Sequence, residues 1–305
     1  MNVVIVGGNI AGLRCAELLS DENINVEVFE KGTKGLYKIC AAGYTKEAMN
    51  ELLLPDYLIE RDNKYVIGET RFGLLKIKKR IYMLSRPALH EYQWDVACDV
   101  GANVHEKSKV VDIDIKENTI ELKDSTRVKY DYLIGADGSN SIVRKKLNLP
   151  FDNQLVLQYR VPEVVTKTVQ MWFPEPYYYT YTFPHDTYTY IGCGIGKDNK
   201  KLKRYLEERC KELKIDTPDL KLEAFPINLN YSGMRFKNTY LVGDAVGFAS
   251  RLTGEGISQA LTSARLSVSS ILGENEKYEA GLNKMIEQMR RESQPYFDTY
   301  NKVFK

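Results

Sequence analysis

The first thirty residues constrain the fold more than any other stretch. Asn2 to Val6 is a short apolar run, followed by Gly7-Gly8-Asn9-Ile10-Ala11-Gly12. Leu13 to Leu19 has a helical pattern, and a second apolar run, Val26 to Phe29, ends at Glu30. Strand, glycine turn, helix, strand, acid is the order a dinucleotide site needs. The turn lets backbone approach a pyrophosphate, the helix N-terminus offers free N–H groups, and the acid accepts from a ribose hydroxyl. The usual G-x-G-x-x-G pattern would place its second glycine at Asn9, while Gly7 and Gly12 hold their places. Asn tolerates a left-handed backbone better than most residues. Taken alone, the turn also fits a tight strand–helix connection that binds nothing.

A chain of 305 residues can bury a large core in one large or two linked domains. Its net charge of +2 makes no case for a nucleic-acid partner. Five cysteines (15, 40, 98, 193 and 210) without a C-x-x-C pair argue for a reducing compartment and against a disulfide framework or a metal site. The first strand begins at once, leaving no room for a signal peptide, and no apolar run approaches the ~20 residues of a membrane span. The expectation is a cytoplasmic protein.

Further along, Tyr65 to Gly68, Phe72 to Ile77 and Ile81 to Leu84 read as short strands of a small antiparallel insertion. Ser85-Arg86-Pro87 opens a helix that Gly101 closes. Tyr132 to Ile134 is a buried strand running into Gly135-Ala136-Asp137-Gly138-Ser139-Asn140-Ser141. From Gln154 to Tyr231 the texture is mainly strands, with one helix over Asn199 to Leu213. Thr239 to Val242 returns to a buried strand and enters Gly243-Asp244-Ala245. After Gly254-Glu255-Gly256 a helix carries the stripe Ile257, Leu261, Ala264, Val268 and Ile271. These elements give an α/β (α+β) fold: a Rossmann-like cofactor-binding domain with a mixed or parallel sheet over 1–150 and 232–275, an antiparallel-sheet substrate domain over 151–231, and a helical tail over 276–305.

Glycine–aspartate stations thus end three separate apolar strands, as expected where a long polar ligand lies across the C-terminal edge of one sheet. The stretches YLIGADGSNSIVRKKL and YLVGDAVGFASRLTGEGISQAL, behind the N-terminal turn, resemble the FAD-binding plan of p-hydroxybenzoate-hydroxylase-like flavoproteins. LYKICAAGY resembles the K-x-C-G-G loop of the geranylgeranyl reductase family within that class. YTYTFP, Tyr179 to Pro184, followed by YIGCGIG, resembles its Y-x-W-x-F-P strand and the glycine-rich strand after it. The resemblance spans roughly residues 2–270, and its FAD portion is the most specific. Asn9, Ala41 and Ala42 stand where that pattern has glycines, Tyr181 where it has tryptophan, and Arg251 where it has proline.

The resemblance implies FAD as cofactor and these roles. Gly7, Asn9, Ala11 and Gly12 form the pyrophosphate turn, and Glu30 with Lys31 meets the adenosine ribose. Cys40, Ala41 and Gly43 form the loop at the flavin, which Arg86 and Val110 border. Asp244 bonds the ribityl–phosphate region. Gly254, Gly256 and Ile257 open a helix whose N-terminus faces the flavin pyrimidine ring, where a reduced flavin is anionic. Cys40 is the candidate catalytic thiol and equally a small buried residue. Tyr179, Tyr181, Phe183 and Tyr190 are candidate substrate contacts. With Tyr177, Tyr178 and Tyr188 they line an apolar tunnel suited to a prenyl chain, or simply pack across strands. Gly192-Cys193-Gly194-Ile195-Gly196 looks like a second fingerprint but lacks a following β-α-β unit. It reads as close approach to the flavin or to a neighbouring strand. His90, His105 and His185 share no metal spacing.

Three functions follow. The first is an FAD-dependent reductase that saturates C=C bonds of a geranylgeranyl-type lipid or quinone precursor, with hydride from flavin N5 and a proton from Cys40 or a sheet tyrosine. NAD(P)H or a ferredoxin-like carrier supplies electrons. The second is an FAD monooxygenase acting on an aromatic or small apolar substrate. The third is a non-catalytic prenyl-binding protein on the same fold. The tail aromatics with Lys302 and Lys305 either touch a membrane surface or pack against the body.

Overall fold

The computed structural model describes residues 1–36, 38–70, 73–175 and 178–304, and the side chains of all of these but 70 and 292–304. Among the described residues the core is a six-stranded sheet in the order Arg235–Phe236, Thr239–Leu241, Tyr132–Gly135, Asn2–Val6, Asn25–Phe29, Asn103–His105. Its pairings are parallel except for the first. A parallel sheet is covered on both faces, which is why its strands are almost wholly apolar. Val3, Ile5, Leu13 and Leu19 are fully buried, each worth roughly 1.5–3 kcal/mol relative to exposure. The helices Ile10–Asp21 and Ile257–Ile271 pack in the same cluster, through Leu13, Ala16 and Leu19 on one and Ala264 and Val268 on the other.

A seven-stranded sheet forms the second layer, in the order Leu222–Asn228, Asn153–Val161, Thr189–Gly194, Tyr178–Pro184, Val169–Glu175, Val66–Thr70, Gly73–Ile77. Helix Asn199–Glu212 covers it with Leu202, Tyr205, Leu206 and Cys210. Here the structure departs from the sequence reading. Val66–Thr70 and Gly73–Ile77 are not a separate insertion. They extend this large sheet through a parallel pairing of Val66–Thr70 with Val169–Glu175. The sheet therefore draws two strands from the segment assigned above to the cofactor-binding part. Ile81–Leu84 belongs instead to a three-stranded sheet with Gly43–Thr45 and Ile59–Asn63. Phe72 and Tyr177 lie outside the described residues.

The chain ends in one helix, Asn275–Phe304, whose Tyr278 and Met285 are buried. The tail aromatics Tyr296, Phe297, Tyr300 and Phe304 fall within this helix, and their side chains lie outside those described. No helix among the described residues is long and apolar enough to cross a membrane. All five cysteines are free, and no cluster among the described residues suits a metal ion.

One buried cation ties the layers together. Arg144 is fully buried and donates to the carbonyls of Pro150, Ala245 and Asn230, to Asn230 Oδ1 and to Ser232 Oγ, at 2.6–3.1 Å. Burial lowers its pKa, so its charge persists through this ring of acceptors.

Candidate functional site

The ends of four strands of the parallel sheet open onto one cavity of about 710 Å³, a volume in the range of small-molecule and cofactor sites. Val6 and Gly7, Phe29 and Glu30, Ala136, and Gly243 line it at those strand ends, and Phe225, Pro226 and Ile227 of the second sheet face them. Of the expected cofactor contacts, Gly7, Asn9, Ala11, Glu30, Lys31, Cys40, Arg86, Val110, Asp244, Gly254, Gly256 and Ile257 line this cavity. Gly12 and Ala41 are not among the residues that border it. Gly43 sits in strand Gly43–Thr45, packed against Phe183.

The turn has the shape of a phosphate cradle. Gly7 has φ +104°, and a Cβ there would meet the Ala136 carbonyl oxygen at 2.5 Å. A Cβ on Gly12 would lie 2.0 Å from the Gly7 carbonyl oxygen, so helix Ile10–Asp21 starts hard against the turn. Asn9 works differently from the sequence expectation. It is extended, with φ −106°, and caps the helix by accepting from Ile10 N–H at 2.9 Å. The same Oδ1 accepts from Arg86 Nη2 at 2.7 Å, which brings a guanidinium to the cradle. Arg86 also donates to the Tyr44 hydroxyl, which burial pushes up to about 12.

Glu30 is held rigidly, accepting from Gly8 N–H at 2.7 Å with one oxygen and from Gly32 N–H at 2.7 Å with the other. A carboxylate has about four acceptor positions, so two are left for a ligand hydroxyl. His90 buttresses the turn: Gly35 N–H donates to its Nδ1 at 3.0 Å, so Nε2–H donates to the Gly8 carbonyl at 2.7 Å. Burial lowers its pKa and favours this neutral form.

The far end is built from loops. Lys38 reaches Asp244 in an ion pair and lies 5.4 Å from the centre of the Phe225 ring. Cys40 Sγ accepts from Ala42 N–H at 3.3 Å. Ala42 has φ +57°, a left-handed backbone that costs a non-glycine residue about 1–2 kcal/mol. Ala136 to Asn140 and Ile142 also border the cavity, and burial raises the Asp137 carboxyl pKa. The glycine–aspartate station signalled that stretch, though none of its residues was singled out. Lys38 and Phe225 to Ile227 were missed as well. Pro226 within a strand carries a signal of its own, since proline marks an edge strand, and Leu222–Asn228 is one.

The expected substrate tyrosines do not line this cavity. Tyr179, Tyr181 and Phe183 form a continuous aromatic row, with ring centres 6.0 and 5.2 Å apart. Tyr181 donates to Gln158 Oε1 at 2.7 Å. The glycine-rich strand explains the packing. A Cβ on Gly192 would fall 2.2 Å from the Tyr181 ring, and one on Gly196 1.8 Å from the Tyr178 ring. The glycines of Gly192-Cys193-Gly194-Ile195-Gly196 make room for tyrosines of the neighbouring strand. Tyr179 reaches the cavity wall from behind, its hydroxyl 2.1 Å from where a Cβ on Gly254 would be. Tyr190 borders a second, smaller cavity.

The cradle, the fixed acid and the volume of the cavity suit a dinucleotide, and the comparisons with known proteins agree. A family model described as FAD binding domain matches residues 1–281. An uncharacterized protein of Methanosarcina barkeri is 29% identical over 294 residues, covering 88% of this chain and 74% of that one. The geranylgeranyl diphosphate reductase of Synechocystis is 27% identical over 332 residues, covering 94% of this chain and 80% of that one. The crystal structure of a geranylgeranyl bacteriochlorophyll reductase-like protein from Thermoplasma acidophilum superposes with a TM-score of 0.79 at 19% identity, covering 95% of this chain and 83% of that one. The chain belongs to the FAD binding domain family and is an FAD-dependent oxidoreductase.

Proposed function

We propose that this protein saturates carbon–carbon double bonds of an isoprenoid chain of the geranylgeranyl type, carried on a lipid or on a quinone or prenyl precursor. The observation that carries this reading is the placement of the Cys40 loop. Cys40 borders the cavity, while Ala41 and Gly43 pack into the aromatic face of the second sheet. A thiol thus stands where a cofactor site meets an apolar aromatic wall. The relatives named as geranylgeranyl diphosphate reductases support the substrate class.

In this reading the Gly7–Gly12 turn holds the pyrophosphate of FAD and Glu30 its adenosine ribose. Arg86, Asp244 and the start of helix Ile257–Ile271 border the rest. When bound, FAD supplies hydride from its reduced ring. The protein supplies position and a proton. Tyr181 has its hydroxyl proton committed to Gln158, and burial keeps Tyr179 protonated. Cys40 Sγ is the proton donor at the wall, with Ala42 N–H facing the charge that develops on sulfur. The aromatic row excludes water from an alkene that is poorly polarised, so orientation contributes much of the rate. Electrons come from NAD(P)H or a ferredoxin-like carrier, and a long prenyl lipid is met by peripheral contact at the cytoplasmic membrane face.

The test is anaerobic. The holoprotein is reduced until its band near ~450 nm bleaches, and a geranylgeranyl lipid is added. The band should return as the lipid gains two hydrogens per bond. Cys40→Ala should slow that return by about 10²- to 10⁴-fold while its flavin is still reduced. A reduced flavin that no prenyl compound reoxidises would refute the reading. Oxygen uptake stimulated by an aromatic ligand would replace it with a monooxygenase.

A further inference from the structure

We propose that the edge of the seven-stranded sheet at Gly73–Ile77 docks the protein on an anionic lipid surface, from which a prenyl chain reaches the aromatic face of the same sheet. The inference rests on the prenyl reading above for what enters, and adds where it enters. Gly73–Ile77 is the last strand of that sheet and pairs only with Val66–Thr70. All of its residues are exposed. Side chains alternate along a strand, so Leu74 lies on one face and Leu75 and Ile77 on the other. Leu74 is 73% exposed, Leu75 61% and Ile77 42%. An ordinary edge strand turns its apolar side chains to one covered face, whereas this strand shows leucines to solvent on both. Apolar side chains gathered at a bare edge mark a surface that is covered in use.

The strand register joins this edge to the aromatic wall. Paired residues point to the same face of a sheet. Tyr181 pairs with Met171, Met171 with Gly68, and Gly68 with Leu75. The next row on that face runs through Val169, Val66 and Ile77. Met171 and Phe183 pack both with the cluster of Val66 and Val169 and with that of Tyr179, Tyr181 and Tyr190. A continuous apolar face therefore leads from the exposed edge to the aromatic row beside the Cys40 loop.

The charges select the partner. Residues 73–80 hold four cations and no acid. Two of the four are matched: Lys79 has Glu255 at 4.0 Å and Glu47 nearby, and Arg80 bonds Asp62. Glu69, cross-strand partner of Leu74, shares Arg209 with Glu212. Lys76 and Lys78 are exposed, and no carboxylate pairs with either among the described residues. Lys76 lies over the Tyr65 ring at 4.1 Å, which leaves its charge in place. A second copy is a poor occupant, because strand pairing on this edge would crowd the lysines of both copies, and like charges across strands repel. A lipid surface accepts leucines at its acyl boundary and lysines among its anionic headgroups at once.

Vesicle binding by the FAD-loaded full chain tests this. The protein is sedimented with vesicles of phosphatidylcholine alone, or of phosphatidylcholine and phosphatidylglycerol in equal parts. Wild type should bind the mixed vesicles, and less as salt is raised. Lys76→Gln with Lys78→Gln should weaken that binding about 25-fold, roughly fivefold for each charge. Leu74→Ser with Leu75→Ser should weaken it about 10²-fold or more. Leu222→Ser, at the opposite edge of the same sheet, is the control and should change nothing. The replaced side chains are exposed, so melting temperatures should stay those of wild type. Leucine and lysine variants that bind mixed vesicles as wild type does would overturn the proposal. So would a wild type that binds neither kind of vesicle, or one that forms a dimer in their place. The reductase reading is tested separately. A geranylgeranyl glycerophospholipid set in mixed vesicles should reoxidise the reduced flavin of wild type far faster than that of the leucine variant, whereas in detergent micelles the two should match. Vesicle binding as expected, with no reoxidation in either setting, leaves the docking surface standing and removes the reductase reading.

Discussion

Replacing Gly12 by alanine is the sharpest test of the cradle. In an ordinary helix interior the change stabilises by about 1 kcal/mol. Here the added Cβ would stand 2.0 Å from the Gly7 carbonyl oxygen, where ordinary contact begins at 3.4 Å. The gap must open by the difference, 3.4 − 2.0, about 1.4 Å. Ala136 Cβ, 3.1 Å away, blocks another direction of relief. Neither neighbour is a flexible side-chain end, so the cost belongs near the ~3 kcal/mol upper end for overpacking, and about 2 kcal/mol of destabilisation remains after the helix gain. For a chain of this length that is a fall in melting temperature of about 3 °C. The larger effect falls on FAD. Opening this gap separates the turn from the helix start, and one charge-assisted hydrogen bond lost from the cradle weakens binding about 10- to 100-fold. Thermal melts and FAD retained after gel filtration measure both. Gly281→Ala is the control, because its Cβ would meet only the tip of the Leu266 side chain. A Gly12→Ala protein with wild-type melting temperature and FAD content would show that the turn is not a cradle.

Two further outcomes are expected. Arg144→Met strands several buried acceptors and should cost about 3–5 kcal/mol in urea unfolding, whereas Arg127→Met, at an exposed ion pair, should cost less than about 1 kcal/mol. His90 has a folded pKa below its unfolded one, so it contributes stability that is fully present above the unfolded value, near ~6.5, and is lost as pH falls toward the folded value. Wild-type protein should therefore lose more stability between pH 7 and 5 than His90→Gln, measured as the difference in unfolding free energy at each pH. Equal losses would show that Gly35 does not hold the ring neutral.

The parts of this molecule visible in its sequence are those whose physics is local. The strand–turn–helix–strand at the N-terminus shows itself through apolar runs and glycines within thirty residues, and most of its expected contacts do line the cavity. Local reasoning misjudged Asn9 because two roles share one residue type. Asn suits both a left-handed turn and a helix cap, and only the backbone angles separate them. The remaining gaps are matters of register and distance. Lys38 and Asp244 meet across 206 residues. The strand Val66–Thr70 finds its partner Val169–Glu175 about a hundred residues on, and nothing in its own composition distinguishes that sheet from a small hairpin of its own. The glycine-rich strand was legible as a place of close approach. That tyrosine rings fill the space depends on the pairing of Tyr181 with Gly192, which belongs to two strands at once.

A residue that is part of two walls makes two occupants aware of each other. Arg86 borders the cofactor cavity and the smaller one, and it is anchored through Asn9 to the cap of the helix that begins the cradle. Any shift of its guanidinium on one side is felt on the other. Linkage then requires reciprocity: the factor by which any group seated in the small cavity alters FAD affinity is the factor by which FAD alters the affinity for that group. One side chain thereby couples the two cavities.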